Sequence, residues 1–235
     1  MYTRSDARAH DALRDITFDV GVQRHADGSV VIKWGETHVL CAATFEDRVP
    51  AHRLSSGGGW LTAEYAMLPG STQERQKRER PNVSGRTAEI QRLIGRSLRA
   101  SINLDQLGQR TLWVDCDVIQ ADGGTRCASI TGAYVAAVLA IRKAGLKVTP
   151  TPVAAVSVGI VKGETLLDLC YVEDSAADVD LNYVATPAGI VEVQGTAEGK
   201  PFPRARLDLL LDTAQKATER LFALQAEVLA QAAGR

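Results

Sequence analysis

Thr111-Leu112-Trp113-Val114-Asp115-Cys116-Asp117-Val118-Ile119-Gln120-Ala121, running straight into Asp122-Gly123-Gly124-Thr125-Arg126, is the stretch that decides how this chain is built. The first part is rich in β-branched and aromatic residues and reads as a strand over Thr111 to Ala121. The second opens a helix at Gly123-Gly124 that runs to about Gly145, which suits a C-cap. Glycines at such a junction let the backbone approach a ligand closely, and the first helical turn presents unpaired N–H groups whose aligned dipoles favour an anion. Thr125 adds a hydroxyl and Arg126 a fork of donors shaped for phosphate. The G-x-x-x-x-G-K-[ST] pattern of a nucleotide P-loop is absent. Taken alone, the segment also fits an ordinary strand-to-helix turn carrying an exposed arginine.

On the N-terminal side, Ile16 to Gly21, Ser29 to Trp34 and Thr37 to Phe45 read as an antiparallel meander with turns at Ala26-Asp27-Gly28 and Gly35-Glu36. Leu54 to Gly59 reads as a Ser/Gly loop, Trp60 to Met67 as a strand, and Pro69 to Gly85 as a long charged loop. Arg86 to Ile102 carries a helical stripe of Ile90, Leu93, Ile94 and Leu98. On the C-terminal side, Val153 to Val161 pairs with Thr165 to Val172, and Leu181 to Thr186 with Gly189 to Gly195. A long amphipathic helix then runs from Pro203 to about Ala233. Grouped strands, helix, strand, helix and more strands predict a mixed α+β domain.

The composition, 45% hydrophobic and 23% charged over 235 residues, is that of a soluble globular protein with a sizeable core in one large or two small domains. Met1 to Arg14 is polar and no apolar run reaches the roughly 18 to 20 residues of a membrane span, so no membrane association and a cytoplasmic location are expected. Cys41, Cys116, Cys127 and Cys170 form no C-x-x-C pair, which argues against structural zinc and a disulfide framework. The four histidines all lie in the first quarter, away from the arginine and aspartate clusters, and no G-x-S-x-G nucleophile elbow occurs.

A net charge of −1 conceals an uneven distribution. Between Thr72 and Ala100 stand eight basic residues (Arg75, Lys77, Arg78, Arg80, Arg86, Arg92, Arg96, Arg99) against three acidic ones, whereas Gly163 to Gly199 holds eight acidic residues and neither Lys nor Arg. Such a division suits a site where a polyanion meets carboxylates, although two solvated faces give the same count. Arg86, at the start of its helix, is a second candidate anion ligand. In Glu173-Asp174-Ser175-Ala176-Ala177-Asp178-Val179-Asp180, three aspartates offer oxygen ligands for Mg²⁺ or an acid for a leaving alkoxide; a solvated acidic turn is the plainer reading. Asp115 and Asp117 are expected on one face of their strand.

Taken together, these segments resemble the ribonuclease PH family. The resemblance is carried by Gly58-Gly59-Trp60-Leu61-Thr62-Ala63-Glu64-Tyr65, by Gly85-Arg86-Thr87 with Glu89 to Arg99, and by Val114 to Arg126. Further on it is carried by Ala154 to Val161, Glu173 to Asp178 and Val191 to Gly199. It implies a single domain of this family over 1–235 with a fold like domain 2 of ribosomal protein S5, a mixed β-sheet packed with helices, assembled as a homohexamer built as a trimer of dimers. It also implies 3′-to-5′ phosphorolysis: inorganic phosphate attacks the terminal phosphodiester of RNA, chiefly tRNA precursors, and a nucleoside diphosphate leaves. By position, Arg86 and Gly124, Thr125 and Arg126 would hold the phosphate, and Asp178 would be the general acid. Asp174, Asp178 and Asp180 would supply Mg²⁺ ligands, and Arg75, Arg78 and Arg80 would meet incoming RNA. Two positions depart from the pattern: Cys127 replaces a Thr beside the phosphate arginine, and Pro203 replaces a Ser-like cap. A catalytically silent RNA-binding ring subunit is the rival reading, but such subunits lack the arginines or the aspartates that this chain has.

Overall fold

The computed structural model describes residues 2–79 and 82–234. Alternating apolar residues in the N-terminal third give β1 (Ile16–Val20), β2 (Gly28–Trp34) and β3 (Thr37–Glu46), which form the expected meander. With β4 (Trp60–Met67) and β5 (Thr111–Gln120) they make a five-stranded sheet in the order β1-β2-β3-β5-β4, in which only β4 and β5 run parallel. A parallel pair needs a crossover, and α1 (Gly85–Ser101) lies within the chain that makes it.

The second sheet is wholly antiparallel, in the order β7-β6-β8-β9, from β6 (Ala154–Val161), β7 (Glu164–Leu167), β8 (Val179–Thr186) and β9 (Gly189–Ala197). Lys162 and Gly163 both take positive φ, 50° and 82°, in the two-residue turn joining β6 to β7, as the twist of a tight hairpin demands.

Between the sheets runs α2 (Thr125–Lys143), which contacts β2, β3 and β5 on one side and β6 on the other. Its sequence explains the position: with Ala, Gly, Ser and Val on every face it has no polar side to give to water, so it is buried all round. The small residues also allow close approach. A Cβ on Gly132 would stand 2.8 Å from Ile32 Cγ2, and one on Gly28 would run into the Ala136 carbonyl at 2.1 Å. The long α4 (Arg204–Ala233) covers the second sheet through Leu210, Ala214, Ala217 and Leu221, each worth up to about 1.5–3 kcal/mol for the larger side chains. One continuous core runs through both sheets and α1, α2 and α4.

Three sequence expectations change. The segment around Leu54 is a 3₁₀ turn, Ala51–Ser56, rather than open loop. The strand expected over Thr165 to Val172 stops at Leu167, because Asp168 turns to φ 56° and sends its side chain into a buried polar cluster. The chain then makes a single helical turn, α3 (Tyr171–Asp174). Finally, α4 begins at Arg204 rather than at Pro203, which is its N-cap, the place that the family resemblance implied for it.

Candidate functional site

A cleft of about 810 Å³ opens where the first turns of α1 and α2, the single turn of α3, and one face of β8 converge. Arg78, Arg86, Gly124, Thr125, Arg126 and Asp174 all line it, so one cavity gathers residues that are far apart along the chain.

The anion side is built at the start of α2. Gly123 and Gly124 take φ of 74° and 67°, and Gly124 is the N-cap. Only glycine fits at 123, since a Cβ would lie 2.5 Å from the Leu169 carbonyl oxygen. The junction is clamped from behind. Arg14 Nη1 donates to the Asp122 carbonyl at 2.5 Å and Thr37 Oγ1 to the Gly123 carbonyl at 2.7 Å. The Asp122 N–H donates to Thr37 Oγ1, and the Tyr171 N–H to the Asp122 carboxylate. Arg14 is itself fixed by a buried ion pair with Asp168 at 2.7 Å, and Trp34 Nε1 donates to the same carboxylate. With the carbonyls held backward, the N–H groups of the first helical turn face the cleft.

Arg126 forms an ion pair with Glu89 of α1 at 3.2 Å, which orients the guanidinium, while its Nε is buried with no protein partner. Thr125 Oγ1 is bonded to Tyr65 Oη at 2.9 Å. Burial raises the Tyr65 pKa, and Thr125, Arg86 and Arg126 partly offset this, which places both arginines near one phenol. Arg86 is exposed in the first turn of α1, whose N-cap Ser84 accepts from the Thr87 N–H.

The acidic side is narrower than expected. Desolvation by surrounding protein raises the Asp174 pKa, Asp180 raises it further, and Arg126 and Arg86 pull it down, so these four charges share one neighbourhood. Asp180, half-buried on β8, has Oδ1 buried with no hydrogen-bond partner. Asp178 is different. Like Asp174 it is exposed, but it precedes β8 and does not line the cleft, and its backbone is tied to Ile160 and Glu198. Among the described residues no group of three His, Cys, Asp or Glu side chains is placed to hold a metal ion. By strand alternation Asp180 shares a face of β8 with Asn182, whose Oδ1 accepts from Cys127 Sγ of α2, and Asp178 stands just before the strand.

The basic loop reaches the cleft through Lys77 and Arg78, the latter close enough to Asp117 to pull down a carboxyl pKa that burial raises. Arg75 is exposed and does not line the cleft, and Arg80 lies outside the described residues. Glu173, within the acidic run, is fully buried against Arg4 at 2.6 Å and serves the fold. The sequence reading had no site role for Tyr65, Ser157, Tyr171 or Asn182, which also line the cleft. Asn182 had a signal in retrospect, standing two residues after Asp180 on the same strand face. The Arg14 and Asp168 pair had none, being 154 residues apart.

An α+β protein with a glycine-opened helix start and two arginines set beside an acidic pair is the class that fold and site define. The 3′ exoribonuclease family matches twice, its domain 1 over residues 12–145 and its domain 2 over residues 151–217, and the chain belongs to that family. It is 54% identical over 240 residues to ribonuclease PH of Nocardia farcinica (strain IFM 10152), covering 98% of this chain and 93% of that one. It is 57% identical over 230 residues to ribonuclease PH of Frankia casuarinae (strain DSM 45818 / CECT 9043 / HFP020203 / CcI3), covering 96% and 93%. Among solved structures, rice Rrp46 superposes with a TM-score of 0.80 at 17% identity, covering 96% of this chain and 100% of that one. An Archaeoglobus fulgidus exosome with RNA bound to its active site gives 0.80 at 21%, covering 93% and 91%. The fold is the one expected, like domain 2 of ribosomal protein S5. No helix among the described residues is long and apolar enough to cross a membrane.

Proposed function

We infer that this chain is a phosphate-dependent 3′-to-5′ exoribonuclease that trims tRNA precursors and other RNA and releases nucleoside diphosphates, in a reversible nucleotidyl transfer. The observation that carries this reading is the convergence of Arg86, Arg126 and the α2 N-terminus with Asp174 around one cleft, with Asp180 close enough to Asp174 to raise its pKa. Phosphate attack on a phosphodiester brings several negative charges together, and preorganised cations and N–H donors stabilise that charge where it develops. A bond forms between the attacking phosphate oxygen and phosphorus, the bond to the 3′ oxygen breaks, and that oxygen takes a proton. A silent RNA-binding ring subunit is not favoured, because both halves of the site are present.

Asp178 was the expected acid, but the geometry supports Asp174, which lines the cleft and whose neutral form is favoured by desolvation and by Asp180. Mg²⁺ fits beside it: Asp180 Oδ1 is a buried, unpartnered hard oxygen, and one or two carboxylates with substrate oxygens are the usual ligands of that ion. The ion would neutralise phosphate charge. Arg78, with Arg75 and Arg80 in the same loop, would meet the RNA backbone. We propose that the chain works as one unit over 1–235, in the cytoplasm, as a homohexamer built as a trimer of dimers. Ile190 and Val193, 55% and 39% exposed on the edge strand β9, offer apolar surface to a neighbouring copy.

The test is to incubate the protein and Mg²⁺ with a tRNA carrying extra 3′ nucleotides, with and without phosphate. Nucleoside diphosphates formed only with phosphate are expected; monophosphates formed without it, or no product, overturn the reading. Asp174→Asn should lower kcat by about 100-fold or more and Asp178→Asn by less than about threefold, general acids contributing roughly 10²–10⁴-fold.

A further inference from the structure

Asn182 and Cys127 belong to the site but have no part in the scheme above. Asn182 sits on β8 two residues beyond Asp180, opposite Ser157 of β6, and lines the cleft with Thr125 and Arg126. Cys127 is the third residue of α2 and only 2% exposed, and its Sγ lies 3.3 Å from Asn182 Oδ1. An amide has two ends of opposite character, and which end faces a ligand is decided by what holds the other.

We propose that Cys127 is a positioning residue that holds the Asn182 amide oxygen by S–H···O donation, so that the Asn182 N–H₂ group is presented to a phosphate oxygen at the α2 N-terminus. The ligand is an anionic phosphate oxygen, of the attacking inorganic phosphate or of the scissile phosphodiester.

Two features of the surroundings favour this orientation. The carboxylates of the site, Asp180 two residues back on the same face of β8 and Asp174 whose pKa it raises, are acceptors, so an oxygen-first amide would be repelled by them and a nitrogen-first amide attracted. The thiol also stays a donor across the physiological range, because burial pushes its pKa up to about 12. A Thr or Ser hydroxyl at position 127 keeps a donor there, whereas Val keeps the volume and removes it.

The proposal rests on the phosphorolytic reading and is tested with the full chain, measuring KM for phosphate at saturating RNA, and separately the Kd for a 3′-extended RNA without phosphate. Wild-type protein without phosphorolysis would defeat that reading itself. With phosphorolysis present, Asn182→Leu should weaken one of the two constants by roughly 10- to 100-fold, the range for a hydrogen bond to a charged group. The phosphate arm identifies the attacking anion as the ligand and the RNA arm the phosphodiester. Cys127→Val should weaken the same constant about threefold, Cys127→Thr and Cys127→Ser should restore it, and Cys127→Val should add nothing in an Asn182→Leu background. Equal thermal midpoints separate these effects from misfolding. Unchanged constants in Asn182→Leu, or a Cys127→Val effect that persists in the double variant, overturn the proposal.

Discussion

Two regions of this molecule that bring basic residues to the cleft are built on opposite principles. The Asp122–Arg126 junction has its carbonyls held by Arg14 and Thr37, its carboxylate by the Tyr171 N–H, and no room for a side chain at Gly123. The basic loop ahead of α1 is exposed from Gln73 to Glu79 and held by a few local bonds, such as Gln76 N–H to the Pro69 carbonyl and Thr72 Oγ1 to the Glu74 carbonyl. Both are basic, but the first fixes donors in space and the second supplies charge without fixing it. A reacting phosphate needs geometry, since a displacement of about 1 Å costs on the order of 100-fold in rate. A sliding RNA backbone needs only screened attraction.

The most severe way to break this comparison changes geometry and leaves charge alone. Gly123→Ala adds one methyl group where φ is 74° and the Leu169 carbonyl blocks the Cβ. We expect kcat/KM to fall by about 100-fold or more through phosphate binding and kcat together, with a lowered thermal midpoint. Near-normal turnover would show that the junction is not the rigid element.

The converse experiment removes charge and leaves geometry. Arg75→Ala with Arg78→Ala should raise the KM for RNA by about tenfold, with phosphate KM unchanged. The slope of log affinity against log salt should become shallower by about 1.4, as expected when two phosphates of a single strand are no longer neutralised. A larger effect on phosphate KM than on RNA would erase the distinction between the two regions.

The same distinction governs what the sequence made legible. Strand and helix positions followed from periodicity, so β4 was placed over Trp60–Met67 and α1 within a residue of its bounds. The anion turn was visible because glycines and arginine are local signals. The clamp behind it was not, since Arg14, Trp34 and Asp168 meet only through the tertiary fold. Spacing could not choose among the three aspartates for a related reason: it shows that carboxylates are near in sequence, not which face each one takes. The short α3 was missed because the turn at Asp168 is imposed by a buried partner, not by a breaker residue.

A smaller and sharper test concerns β5, the strand that feeds the junction. Asp115, half-buried opposite Glu64 of β4 and Ala42 of β3, has its pKa raised by burial first and by Glu64 and Asp117 next. A carboxyl group whose pKa is higher in the folded than in the unfolded chain costs nothing at low pH, where both states are protonated. As pH climbs from the ordinary carboxylate range through the raised value, the native state must carry a charge it disfavours, and stability is lost. Asp115→Asn removes that charge, so it should leave the thermal midpoint unchanged at low pH and raise it at neutral pH. The gain should be no more than about 1 kcal/mol, because the group is partly exposed and water screens it. Thermal melts from pH 4 to pH 8, paired with phosphate KM, check this. If the junction's stiffness comes from the clamp and the close-packed glycine, stability should move while phosphate KM stays fixed; a shift in KM would mean that the charge of β5 reaches the site and that geometry alone does not set its affinity.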